Sequence, residues 1–316
     1  MNLIERAGRR LAEAQGRRPE ETRDPQSLPI DGPGLRPEAQ GRRPEETRDP
    51  QSLPNDGPGL RPEAPVRARQ SGQHIDLDIQ RLHGMGYTVP ADQSALTEEF
   101  RLIKRVLLDA AFTKARDASV NPNLIMVTSC APKEGKTFTS INLAFSMAFE
   151  HDMRVLLLDA DLARPSIPRV LGFEPRRGLV DAVLDPSIEL SDVLISSNIK
   201  NLTLLPAGQP TALSSELLAS AKMTRFVDEV AKRFADGVVI LDSAPVLARS
   251  ESTVLARHVG QIVFVVEAER TSKGAIDDAL RLLDRKRVRF VMNKAAPAPL
   301  RGGFGKYYYP YSGERT

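Results

Sequence analysis

From Asn123 onward the chain alternates between short aliphatic runs and longer segments with helical spacing. Apolar runs occupy Leu124–Ser129, Arg154–Asp159, Leu202–Pro206, Val238–Asp242, Gln261–Val266 and Val288–Met292. They are near-continuous Val, Ile and Leu rather than alternating apolar and polar, which is how parallel strands covered on both faces read. Between them Lys136–Glu150, Ser215–Phe234, Ser250–Arg257 and Ser272–Asp284 read as helices. A further helix is predicted over Ala95–Ala111. Leu96, Phe100, Ile103, Leu107 and Ala110 recur there at helical spacing, and Glu98 and Glu99 suit the positive N-terminal end. His74–Val89 reads as a short transitional stretch. Strand–helix alternation with short connections predicts an α/β domain with a doubly wound, mostly parallel sheet.

The first quarter of the chain has another character. Gln15–Ala39 is repeated as Gln40–Ala64 with one change, Ile30 to Asn55. Eleven of the 24 prolines fall between Pro19 and Pro65, and Leu53 and Leu60 are the only large apolar residues of the second copy. Such a segment cannot bury enough apolar surface to offset ordering entropy, so it predicts a disordered spacer rather than a solenoid. Before it, Leu3, Ile4, Ala7 and Leu11 share one helical face beside Arg6, Arg9 and Arg10. Three readings stay open for that face: a docking helix, a membrane-surface helix or a frayed terminus. The expected organisation is a short amphipathic helix over 1–14, a Pro-rich linker over 15–70, the α/β domain over 71–299 and a tail over 300–316.

Composition narrows the setting. No apolar run in the 316 residues reaches the ~18–20 residues of a membrane span, and Met1–Arg10 lacks the apolar core of a secretory leader. A single cysteine, Cys130, excludes an internal disulfide and suits a reducing cytosol. The net charge of +3 comes from 44 basic and 41 acidic residues, so nothing in the overall balance asks for nucleic acid.

Three segments carry chemistry. Leu124–Thr137, LIMVTSCAPKEGKT, runs from a buried strand through a tight loop into a helix opened by Gly135, Lys136 and Thr137. Backbone N–H groups of Pro132–Phe138 and the helix start would cradle phosphate, with Pro132 lending only its loop geometry. Lys136 would reach the β- and γ-phosphates, and the Thr137 hydroxyl would bind magnesium. Cys130 stands where the first glycine of such loops usually is, and Lys133 where a second is often found. In Val155–Arg164, Asp159 and Asp161 sit at the carboxyl end of a strand, the end that faces the ligand crevice in parallel sheets. Alternate strand positions point the same way, so both can address one magnesium–phosphate centre. In Val238–Pro245, Asp242 ends another apolar strand, as a magnesium-associated aspartate does. Together these give a P-loop NTPase of the deviant Walker (MinD/ParA-like) type with ATP and Mg2+ as cofactors. Asn293 ends the last strand, where an adenine contact and a simple turn residue are both open readings. Four of the five tyrosines, Tyr307, Tyr308, Tyr309 and Tyr311, fall in the last ten residues, after Gly302, Gly303 and Gly305. That spacing predicts a mobile, exposed cluster.

In this order the segments resemble the bacterial tyrosine autokinases of exopolysaccharide systems, in particular their exosortase-associated branch without a membrane span. The resemblance covers Ile75 to the C-terminus, and Met1–Leu11 also looks like that branch. It implies an ATP-dependent protein-tyrosine kinase that phosphorylates the tail tyrosines of a neighbouring subunit. Lys136, Asp159 and Asp161 would be catalytic, with Asp159 orienting or deprotonating the tyrosine. Thr137, Asp161 and Asp242 would position Mg2+. Glu98, Arg101 and Lys104 resemble the helix motif that packs subunits into rings, with Arg105 next to a lysine that stands in for arginine. The implied partners are further copies of the chain, a membrane-bound polysaccharide co-polymerase activator and a tyrosine phosphatase, without nucleic acid. The implied location is cytoplasmic, at the inner membrane through a partner. The family often has arginine two residues after the second aspartate; here Ala163 stands there and Arg164 follows. A ParA/MinD-type spatial regulator shares the first three segments, but such proteins usually carry a lysine where this chain has Ala131, and they lack the tyrosine tail. A nucleotide-gated adaptor without catalysis is a third reading.

Overall fold

The computed structural model describes residues 73–89, 94–112, 121–150, 152–174, 177–209 and 214–296, all within one compact unit. The tandem repeat, the N-terminal helix and the tyrosine tail lie outside the described residues. Eight strands form one sheet: β1 His74–Ile75, β2 Asn121–Ser129, β3 Arg154–Asp159, β4 Ile195–Ser197, β5 Leu202–Leu205, β6 Gly237–Asp242, β7 Val259–Glu267 and β8 Val288–Asn293. Their spatial order is β1-β4-β5-β3-β6-β2-β7-β8, and every neighbouring pair is parallel except β4 with β5.

Both faces are covered, as the aliphatic runs require. Leu124, Met126, Leu156, Leu158, Val239, Leu241, Ile262 and Phe264 point to one core, and Ile125, Val127, Val155, Leu157, Val238, Ile240, Val263 and Val265 to the other. The second core is closed by α1 Ile79–Gly84, α2 Ala95–Phe112 and α3 Lys136–Ala148, followed by the short α4 Ile167–Leu171. Facing the first core are α5 Leu179–Leu184, α6 Leu190–Val193, α7 Ser214–Leu218 and α8 Ala221–Arg233, with α10 Lys273–Arg281 after the short α9 Glu251–Leu255.

Two expectations need correcting. His74–Val89 is not merely transitional. It supplies β1 and α1, which Asp78 caps by accepting from the Arg81 N–H at 2.9 Å, and it buries Leu77, Leu82 and Tyr87. The helix predicted over Ser215–Phe234 is two helices. Ser220 donates to the Leu217 carbonyl at 2.7 Å and accepts from the Met223 N–H at 3.1 Å, ending one and capping the next.

α3 is the mechanical centre of the domain. Eleven of its thirteen residues are buried, with Phe145 fully so and in ring contact with Tyr87 and Phe149. Phe145→Ala should cost about 3–5 kcal/mol of unfolding free energy. The check is the shift in denaturant midpoint at constant slope.

Candidate nucleotide and phosphoryl-transfer site

The site is built where β2, β3 and β6 end together. β2 runs into the loop Cys130–Gly135, and α3 begins at Lys136. Two loop residues have left-handed backbone, Lys133 at φ 70° and Gly135 at φ 101°. Glycine suits 135 on a second count, because a Cβ there would displace the end of the Asn293 side chain. The loop is braced through Glu134, which is buried. Its Oε2 accepts from the Ala131 N–H at 2.8 Å, and its Oε1 accepts from the Thr271 hydroxyl at 2.5 Å. The Glu134 side chain is therefore used inside the loop, leaving its backbone to face a ligand. Cys130 is buried, and burial together with the charge of Glu134 pushes its thiol up to about 12, so it is a packing residue.

Asp159 and Asp242 lie directly opposite each other on β3 and β6. Both are buried. Asp242 is held through both oxygens: Oδ2 accepts from the Thr137 hydroxyl at 2.7 Å and Oδ1 from the Ser140 hydroxyl at 2.9 Å. Asp159 Oδ2 accepts from the backbone N–H groups of Ser166 and Ile167 at 2.9 and 3.0 Å, whereas its Oδ1 has no partner. Burial pushes Asp159 up to about 8 and the charge of Asp242 adds to it; burial likewise raises Asp242 to about 6, against the hydroxyls and Lys136. Asp161 is also raised by burial, with Lys136 opposing.

Among the described residues no group of three Asp, Glu, His or Cys side chains is placed to hold a metal alone. Mg2+ takes one or two carboxylates and completes its octahedron with phosphate and water oxygens. The donors present fit it: the Thr137 hydroxyl and the Asp242 carboxylate bonded to it.

Two cavities flank the loop. One of about 460 Å³ is lined by Lys136, Asp161, Arg164 and Arg249 together with Pro132 and Lys133. The other, about 470 Å³, lies between the loop and Glu267–Ser272. A larger cavity of about 760 Å³ lies elsewhere, between α2 and the end of α3, and does not touch the loop.

A family model described as ParA, NUBPL iron-transfer P-loop NTPase, matches residues 121–286, just over half of the chain. Tyrosine-protein kinase YwqD of Bacillus subtilis (strain 168) is 31% identical over 57% of this chain and 72% of that protein. The chain belongs to the ParA-type P-loop NTPases and, within them, to the bacterial tyrosine-protein kinases. Tyrosine-protein kinase ptk of Acinetobacter johnsonii is 28% identical over 56% of this chain. The chain spans about a quarter of the length of that kinase and of other relatives it matches strongly. The solved kinase domain of Escherichia coli tyrosine kinase ETK superposes with a TM-score of 0.56 at 27% identity, over 68% of this chain and 82% of that domain.

This tyrosine-kinase-family domain brings Lys133, Gly135, Lys136, Thr137, Asp159, Asp161 and Asp242 to one end of the sheet, as the motifs predict. The Phe138 side chain instead packs on Tyr87 and Phe100, with centroids 5.3 and 6.4 Å apart, so only its backbone is at the loop. Asn293 Nδ2 donates to the Glu134 carbonyl at 3.0 Å. Lys104 does not face outward. It is buried, donates to the Ser146 carbonyl at 2.9 Å and pairs with Glu150 at 2.6 Å. Glu98 and Arg101 pair with each other along α2, and Arg105 is exposed. Arg164 lines the phosphate-side cavity despite its shifted position. Sequence reading missed Ser140, Arg249 and Thr271. Ser140 carried a signal, a polar residue one turn after Lys136 on a buried helix; the other two are joined to the site only by the tertiary fold.

The raised carboxylates set a pH dependence. Asp159 and Asp242 hold protons in the folded state at pH values where the unfolded chain, near 3.8, has lost them. Metal-free protein should therefore lose stability as pH rises from about 4 to about 8, the span between the unfolded and folded values of Asp159. Asp159→Asn should flatten that slope and be the more stable form at pH 8. Thermal melts of both proteins across the window, without Mg2+ or nucleotide, decide it.

Proposed function

We propose that this chain is an ATP-dependent protein-tyrosine kinase that phosphorylates the tail tyrosines of a neighbouring copy, in a system that polymerises or exports exopolysaccharide. The observation that carries the reading is the cavity lined by Lys136, Asp161, Arg164 and Arg249 against the phosphate loop. It offers room for an acceptor beside a cationic cluster, while the cavity across the loop leaves space for the rest of a nucleotide. Mg2+ bound with ATP would supply charge neutralisation at the transferred phosphoryl group. The residues of this chain then have separate tasks. Lys136 and the loop N–H groups hold phosphate oxygens. Thr137 and Asp242 fix the metal side. Asp161, at the cavity wall, joins them on the metal side. Asp159 has the basicity a proton acceptor needs near neutral pH, and its unpartnered Oδ1 is the oxygen that takes the phenolic proton. Asp159 is covered from solvent and does not line this cavity, so the proton transfer requires the acceptor to open the cavity wall. The tyrosine oxygen forms the new bond to phosphorus as the bond from phosphorus to the ADP oxygen breaks.

The tail is the acceptor in this reading. The only tyrosine among the described residues, Tyr87, is 7% exposed and packed between Phe138 and Phe145, so it cannot reach an active site without unfolding. No helix of the described residues is long and apolar enough to cross a membrane, which accords with recruitment by a membrane-bound co-polymerase partner from the cytoplasmic side. A tyrosine phosphatase would reset the tail.

Purified full chain given ATP and Mg2+ should accumulate phosphotyrosine at Tyr307, Tyr308, Tyr309 and Tyr311, read by mass mapping. Changing all four to Phe should abolish it and spare ATP binding, whereas Lys136→Ala should abolish phosphorylation and turnover. Phosphotyrosine persisting in the four-Phe protein would exclude the tail as the target. ATP hydrolysis without phosphotyrosine in the wild type would instead favour a spatial-regulator ATPase.

Ring assembly would use the outer face of α2, with Glu98, Arg101 and Arg105 around the exposed Leu102. Reversing the charges of Glu98 and Arg101 together keeps their intrahelical pair but should reduce oligomer mass in light scattering. An unchanged mass would remove this face from the assembly.

A further inference from the structure

The carboxyl ends of β7 and β8 reach back to the phosphate loop through side chains that no motif predicts. Lys294 Nζ donates to the Lys133 carbonyl at 2.8 Å and pairs with Glu267 at 3.1 Å. Asn293 Nδ2 donates to the Glu134 carbonyl, and the Thr271 hydroxyl to the Glu134 carboxylate. Within the phosphate loop, Lys133 occupies the left-handed region at φ 70° without being glycine. A long side chain there is strained by Cβ crowding, and such strain persists only where surrounding contacts hold it. The carbonyl that Lys294 holds belongs to that same residue.

We propose that Lys294 is a positioning residue for the phosphate loop: it clasps the Lys133 carbonyl and so keeps the loop in the conformation that presents its N–H groups to phosphate in spite of a lysine where glycine would be unstrained. The proposal rests on the nucleotide-binding reading above and adds to it a residue that touches neither nucleotide nor acceptor. Glu267 sets the direction of the clasp, since its carboxylate draws the same ammonium from the side of β7. Lys294 itself has left-handed backbone, φ 57°, which turns the chain as it leaves β8.

The test is a double-mutant cycle on the full chain, with ADP affinity measured by titration calorimetry. Lys294→Met should weaken ADP binding roughly three- to tenfold, the range for one hydrogen bond from a charged donor that is partly exposed. Lys133→Gly relieves the strain the clasp opposes, so in that background the same Lys294→Met change should alter affinity by about twofold or less. An equal loss in both backgrounds, or no loss in the wild-type background, would overturn the proposal. Melting temperatures measured alongside separate a purely structural role: a lowered melting point with unchanged ADP affinity assigns Lys294 to the fold and rejects the clasp. A wild-type chain that binds no ADP overturns the nucleotide reading itself.

Discussion

Two carboxylates, Asp159 and Asp242, end neighbouring strands in register and out of water, and much of the surrounding domain exists to make that placement tolerable. Adjacent parallel strands are ~4.8 Å apart, so the repulsion is between near neighbours in a poor dielectric. Three devices oppose it. Lys136 lies close enough to favour the charged form of Asp242. Thr137 and Ser140 each donate a hydroxyl to it. The backbone at the start of α4 gives Asp159 two N–H donors. The devices are incomplete, because Asp159 keeps one oxygen unpartnered and both acids titrate high. A divalent cation is the charge that would complete them, which is why metal binding and loss of carboxyl protons must be linked at this site.

The helix that supplies the hydroxyls has to be rigid to be useful. Lys136 and Ser140 are one turn apart, and Thr137 and Ser140 are three residues apart, so α3 presents all three groups along one edge of its first turns. The rest of α3 is sealed between the sheet and α1–α2, with Phe138, Tyr87, Phe145 and Phe149 forming a chain of ring contacts in that order. Lys104 of α2 closes the far end by reaching the Ser146 carbonyl and Glu150. A lysine that the helix motif suggested for contact between subunits is thus spent inside one subunit.

That reversal marks the limit of what sequence could tell. The sheet was legible because a strand covered on both faces must be apolar at nearly every position, which β2, β3, β6 and β7 are. The edge strand β1 and its neighbour β4, of two and three residues, carry no such run, and neither do α4, α5 and α6. The phosphate loop and both strand-end aspartates were legible because their chemistry restricts the residue type and the sheet fixes where it ends. The partners of Asn293 and Lys104 were not legible for the opposite reason. Each is long or polar enough to turn either way, and the choice is made by Glu134 and Glu150, residues remote in sequence whose positions only the folded chain supplies.

The loop itself shows how local sequence preference yields to the site. A glycine at 133 would relieve the left-handed backbone but add freedom to the unfolded chain and remove a cation from the two flanking cavities, both of which Lys133 lines. Lysine at φ 70° costs about 1 kcal/mol or more on its own. At position 135 the backbone lies at φ 101°, which side chains rarely adopt, and a Cβ would also displace the Asn293 amide. One left-handed position therefore calls for glycine, while the other is held by contacts from β7 and β8. Phosphate binding in this domain rests on long-range contacts as much as on the motif that announces it.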